Sequence, residues 1–76
     1  MKLSLSSSIY PRQCLGATIA AFADFCSVNI VHEQKKSYAI EILPTSPVSN
    51  EEVLTNEFLN YLLAVSIENH LSNGFN

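Results

Sequence analysis

The chain has 76 residues, of which 47% are apolar and 14% charged, and its formal net charge is −3. That length supports one domain, residues 1–76, near the lower limit at which a single core holds a fold without staples; the apolar share fits a folded segment rather than a disordered one. Four basic residues against seven acidic ones leave no cationic footprint for a phosphate backbone, so no direct nucleic-acid partner is expected.

The chain opens with MKLSLSSSIY, which has a lysine but no apolar run of signal-peptide length, so no export signal is expected. Leu3, Leu5 and Ile9 alternate with serines, a period of two that suits a half-buried strand. Pro11 fits the first helical position, where its missing N–H costs nothing. A first helix is predicted from about Pro11 to Phe25. Its inward stripe would be Cys14, Ala17 or Thr18, Ala21, Phe22 and Phe25, at spacings of three and four. Gly16 and the alanines at 17, 20, 21 and 23 keep this helix slim. The run CLGATIAAFADFC is too short to span a membrane and is broken by Asp24, which is expected to face solvent.

CSVNIVH then returns to β-branched residues, with Val28 and Ile30 on one face and Asn29 and Val31 on the other. EQKKS reads as a turn, and SYAIEIL resumes the alternation with Tyr38, Ile40 and Ile42 against Ala39 and Glu41. Two strands around about five residues make a hairpin. Two prolines interrupt PTSPVS. Ser49 with Glu52 three residues later reads as a capping box, and Glu51 favours the same helix N-terminus. A second helix is predicted from about Asn50 to Leu71, with Ser72–Gly74 as its C-cap.

The order strand, helix, strand, strand, helix predicts a two-layer α+β domain, with a three-stranded mixed sheet and both helices on one face. The mixed sheet follows from a crossover placing the second strand parallel to, and next to, the first. A 22-residue helix would be about 33 Å long at ~1.5 Å per residue, against about 17 Å for a five-residue strand at ~3.3 Å per residue. The second helix is therefore expected to pack its Phe58–Leu63 half on the sheet and to overhang it from Val65 to Leu71. Surplus apolar surface on a small protein marks an interaction face, so a protein partner or a homodimer is expected, with Phe58, Tyr61, Leu62, Val65, His70 and Leu71 as partner-binding residues.

The candidate chemistry is sparse. Cys14 lies in the first helical turns, where a helix dipole can activate a thiol, but it also matches the buried stripe, and packing explains it better. Cys26 reads the same way. Bracketing one helix, the two would sit about 18 Å apart at ~1.5 Å per residue, beyond disulfide reach, so reduced thiols and a cytoplasmic location are expected. Cys14, Cys26, His32 and His70 lack the short pairings of a zinc site. His32 is expected in solvent, and His70 near the helix C-terminus, complementing its dipole. Glu51, Glu52 and Glu57 cluster at a helix start, where carboxylates complement the dipole without acid/base work. No phosphate loop, nucleophile elbow or triad pattern is present. Neither catalysis, a cofactor nor a metal is expected.

Two blocks resemble a known family. IYPRQCLGATIAAFADFCSVNI resembles the first half of HxsD-like proteins, small components of His-Xaa-Ser peptide-modification systems. The match rests on Tyr10 opening the helix, the alanines at 17, 20 and 21, Phe22 with Asp24 two residues on, and Val28 and Ile30. EFLNYLL, Glu57 to Leu63, is similar to that family's second-helix block. The resemblance spans about residues 5 to 70. It implies a non-catalytic accessory protein that helps a radical SAM enzyme bind its ribosomally made peptide substrate, with Phe58, Asn60 and Leu62 as contact or fold-defining positions. The same element order also looks like the small dimerising subunit of the KEOPS tRNA-modification complex, which ranks second. A thiol-dependent enzyme using Cys14 ranks third.

Overall fold

Leucines alternating with small polar residues build β1, Lys2–Ser6, and two β-branched or aromatic runs build β2, Cys26–Glu33, and β3, Ser37–Pro44. Between and after them lie α1, Arg12–Ala21, and α2, Glu51–Gly74. The computed structural model describes residues 1–46 and 50–74, and side chains through Leu71. The architecture is α+β in the expected order.

The sheet differs from expectation in one respect. Its strand order is β1-β3-β2, and β3 pairs antiparallel with both neighbours. No pair is parallel, so the sheet is antiparallel rather than mixed. The crossover through α1 does return β2 in the direction of β1, but one strand-width further away, and β3 fills the gap. β3 takes the centre because it carries the most completely apolar face: Tyr38, Ile40 and Ile42 are all fully buried. A central strand has both edges paired and one face sealed, and this alternation meets that demand.

Cross-strand partners share a face of the sheet. Leu3 opposes Ile40, Leu5 opposes Tyr38, and Val28 opposes Ile42, so these six residues form one apolar face. Both helices lie on it. The core joins Leu5, Tyr38, Ile40 and Ile42 to Cys14 and Leu15 of α1 and to Leu54, Phe58 and Leu62 of α2. The opposite face carries Lys2, Ser4, Asn29 and Glu41, none of them buried.

A β-bulge between Ile30 and His32 interrupts the β2–β3 ladder, leaving Val31 as an extra residue. Beyond it the facing alternates with shifted phase: His32 opposes Ala39 and Glu33 opposes Tyr38. Without the extra residue, Glu33 would point away from the helices. With it, Glu33 forms an ion pair with Arg12 at the start of α1. The Arg12 guanidinium sits 5.8 Å above the Tyr38 ring, and the Tyr38 hydroxyl donates to the Tyr10 carbonyl at 2.8 Å. Burial pushes the Tyr38 phenol up, against a smaller opposing effect of Arg12.

The elements end where local chemistry changes. β1 stops at Ser6, and its carbonyl accepts from the amides of Ile9 and Tyr10, so Ile9 leaves the strand alternation and is exposed. Pro11 is the N-cap of α1 rather than its first turn. α1 closes at Ala21, four residues earlier than the apolar pattern predicts, with Phe22 as its C-cap. Cys14, Thr18 and Phe22 do face inward, joined by Leu15 and Ile19. Ala21 and Phe25 are exposed, because the turn after Phe22 takes Phe25 out of helical phase. Asp24 faces solvent as expected, and its carbonyl accepts from the Thr45 hydroxyl.

The capping role expected of Ser49 falls outside the described residues. The cap observed at the start of α2 is Asn50, whose side-chain oxygen accepts from the Val53 amide at 3.2 Å, as an N-cap asparagine does. At the other end the helix runs on through Ser72–Gly74, where a C-cap was expected. No described residue has positive φ, so the left-handed stop that a C-cap glycine supplies is not formed within them.

Candidate functional site

At ~3.6 residues per turn, positions three, four and seven apart share one side of a helix. On α2 that rule groups Leu54, Thr55, Phe58, Leu62, Val65, Ser66 and Asn69, and every one of them is buried or half-buried. The opposite side groups Val53, Leu63, Ile67 and Leu71, all exposed. The apolar surplus of α2 is therefore divided by side, not by length.

The upper half of the helix is covered nearly to its end. The Cys14 thiol lies 3.9 Å from the Val65 carbonyl. The Gln13 side-chain amide donates to Asn69 Oδ1 at 2.8 Å, and His70 Nε2 is 3.4 Å from the Ile9 carbonyl. The expected overhang from Val65 onward is thus not found as far as His70. The length comparison set α2 against the sheet alone, whereas α1 and the turn before it extend the surface on which α2 rests.

The six residues expected to bind a partner separate accordingly. Phe58 and Leu62 are fully buried, and Val65 packs on the core. All three hold the monomer together, and Phe58 and Leu62 present no surface to a partner. Tyr61, His70 and Leu71 are exposed. Tyr61 turns toward α1, its ring 5.6 Å from that of Phe22, and Phe22 also meets Phe58 edge-on at 5.4 Å. The family resemblance adds one position to Phe58 and Leu62, Asn60, and it is exposed. Leu63 and Ile67 belong to the outer stripe but were not among the expected partner residues. Their i, i+4 spacing with Leu71 was legible, and projecting the sequence on a helical wheel, rather than cutting it in half, finds them.

Around this stripe the electrostatics are one-sided. α2 contains Glu51, Glu52, Glu57 and Glu68 and no lysine or arginine. Arg12, the one cation in α1, is engaged by Glu33. Lys2 lies on the far face of the sheet, and Lys35 and Lys36 lie in the β2–β3 loop.

The thiols sit in the core. Cys14 and Cys26 are both buried and free, and burial pushes the Cys26 thiol up. Among the described residues no group of three or more His, Cys, Asp or Glu side chains converges as metal ligands would, and no pocket opens. No helix among them is long and apolar enough to cross a membrane. Comparison with protein families, with curated proteins and with solved structures yields no match.

Proposed function

We propose that this chain is a non-catalytic accessory protein, cytoplasmic, that docks on a radical SAM maturase or its ribosomally made precursor peptide through the outer side of α2. The observation that carries the reading is the stripe of Leu63, Ile67 and Leu71 at i, i+4 spacing, each roughly half exposed on a domain whose core is already complete without them. Contiguous apolar surface of this kind is the usual signature of a docking face. The resemblance of the α1–β2 block and of Glu57–Leu63 to HxsD-like proteins supplies the partner class.

Co-purification of the tagged chain with a radical SAM maturase and a His-Xaa-Ser-rich precursor peptide tests the reading. A complex is expected, lost in Ile67→Asp while the circular dichroism spectrum stays native. No complex with either component at micromolar concentration sinks it.

A second reading, the dimerising subunit of a tRNA-modification complex, is favoured by one observation: both helices lie on one face of the sheet, with their outer sides free to pair. Light scattering separates the two, because this reading requires a dimer and the first does not.

A further inference from the structure

The outer side of α2 is apolar along its centre from Leu63 to Leu71, after Asn56 and Asn60, and acidic along one shoulder. Tyr61 marks that shoulder as the side nearest α1. Glu57, four residues before Tyr61, and Glu68, seven after it, project on the same side. Both are exposed, and neither has an ion-pair partner among the described residues. They stand about 16 Å apart at ~1.5 Å per residue, three turns of helix, with Leu63, Ile67 and Leu71 beside the Glu68 end and Asn60 beside Glu57. On α1, Gly16, Ala17 and Ala20 are small and exposed, and a Cβ built on Gly16 meets nothing within 4 Å.

From this arrangement we infer that the face receives an amphipathic helix whose apolar side is flanked by lysine or arginine at a three-turn interval. The inference rests on the docking face proposed above, though not on the maturase as partner. Charge decides between occupants. A second copy packing helix to helix brings more carboxylates to Glu57 and Glu68 and no cation free to meet them, since α2 has none, Arg12 is engaged by Glu33, and Lys2, Lys35 and Lys36 lie outside the helix layer. An anionic membrane or a nucleic acid meets the same repulsion. A basic amphipathic helix satisfies both halves of the surface, its apolar ridge covering Leu63, Ile67 and Leu71 while its cations reach the two carboxylates. Such rim charges contribute mainly orientation and association rate, and salt weakens them.

The test uses three fluorescent peptides of about 18 residues: a leucine–lysine amphipathic helix, its leucine–glutamate counterpart, and the lysine peptide in scrambled order. Anisotropy titration of the whole protein at low salt is expected to show the lysine helix binding tighter than the scrambled peptide, which has no apolar ridge, and about tenfold tighter than the glutamate helix, two rim ion pairs being worth up to roughly that factor. High salt should erase most of the difference between the two helices. Ile67→Asp should abolish binding, and the double variant Glu57→Lys, Glu68→Lys should transfer the preference to the glutamate peptide, with thermal melts confirming that both variants fold. Equal binding of all three peptides, or of none, overturns the inference. So does an unchanged preference in the double variant, or a dimer in sedimentation that tightens with salt and dissolves in Ile67→Asp, which would assign the face to a second copy. Failure to copurify with a maturase leaves these outcomes untouched and bears only on the function proposed above.

Discussion

On one side of α2, Leu54, Phe58 and Leu62 are sealed between the sheet and α1. On the other, Leu63, Ile67 and Leu71, side chains of the same chemistry, stand in water. The difference lies in what is opposite them and not in their own hydrophobicity. A three-stranded sheet and a ten-residue helix cover one side of a 24-residue helix. They have nothing left for the other. A helix with apolar residues on both sides in a domain this small therefore performs two tasks, and substitutions on its two sides should separate them.

The largest contrast is in stability. Phe58→Ala should lower the unfolding free energy by about 3–5 kcal/mol, the usual cost of emptying a core aromatic site. A 76-residue domain has about 4–11 kcal/mol in total at ~0.05–0.15 kcal/mol per residue, so much of the population should unfold in urea titrations. Ile67→Ala should change the same measurement by less than about 0.5 kcal/mol. Equal effects at the two positions would mean that the outer stripe is covered within the monomer.

The sealed side also carries a titrating group. Tyr38 folds with its phenol raised by burial, so the native state holds that proton more tightly than the unfolded chain. Its stabilising contribution is present in full below the unfolded value of about 10 and is lost as pH rises through the folded value. Stability measured by denaturant titration should hold through neutrality and fall in the alkaline range. In Tyr38→Phe that alkaline fall should shrink, and the lost hydrogen bond to Tyr10 should cost about 1 kcal/mol at neutral pH. An unaltered alkaline limb in the variant would remove Tyr38 as its source.

Two smaller changes compare the inside of the helix layer with its outside. Gly16 is exposed on α1 with open space where a Cβ would stand and no need of positive φ, so Gly16→Ala should raise stability by about 0.8–1 kcal/mol. Ser66 is buried on the inner side of α2 with its hydroxyl unpaired, as is Thr55. Removing an unsatisfied hydroxyl while gaining helix propensity should make Ser66→Ala stabilising by about 0.5–1 kcal/mol. Loss of stability there would indicate that the hydroxyl is satisfied by water.

Much of this was legible in the residues. The alternation in Leu3–Leu5, Val28–Ile30 and Tyr38–Ile42 assigns the strands and their inner faces correctly, because period-two patterning is a local property. The placement of β3 between β1 and β2 is a long-range choice among strand pairings, and local pattern does not decide it. The bulge at Val31 was invisible for a similar reason: it takes effect only against the partner strand. Phe22 and Phe25 extended the apparent periodicity of α1 past its real end, since a turn can bury one aromatic and release the next. Of the residues expected to meet a partner, Tyr61, His70 and Leu71 are exposed, whereas Phe58 and Leu62 were claimed for the partner although the core needs them. A helix that is apolar on both sides gives little amphipathic signal, so only the folded arrangement tells which side faces in.

The bulge also bears on how these molecules behave toward one another at high concentration. β2 is an edge strand eight residues long, rich in valine and isoleucine, the kind of open ladder that invites continued growth of the sheet from molecule to molecule. By breaking the regular spacing of amide and carbonyl groups halfway along that ladder, the extra residue limits how far a stray strand can zip onto it. Deleting Val31 would therefore release Arg12 from Glu33 and also straighten the edge. The shortened protein should show that loss first as visible turbidity on storage.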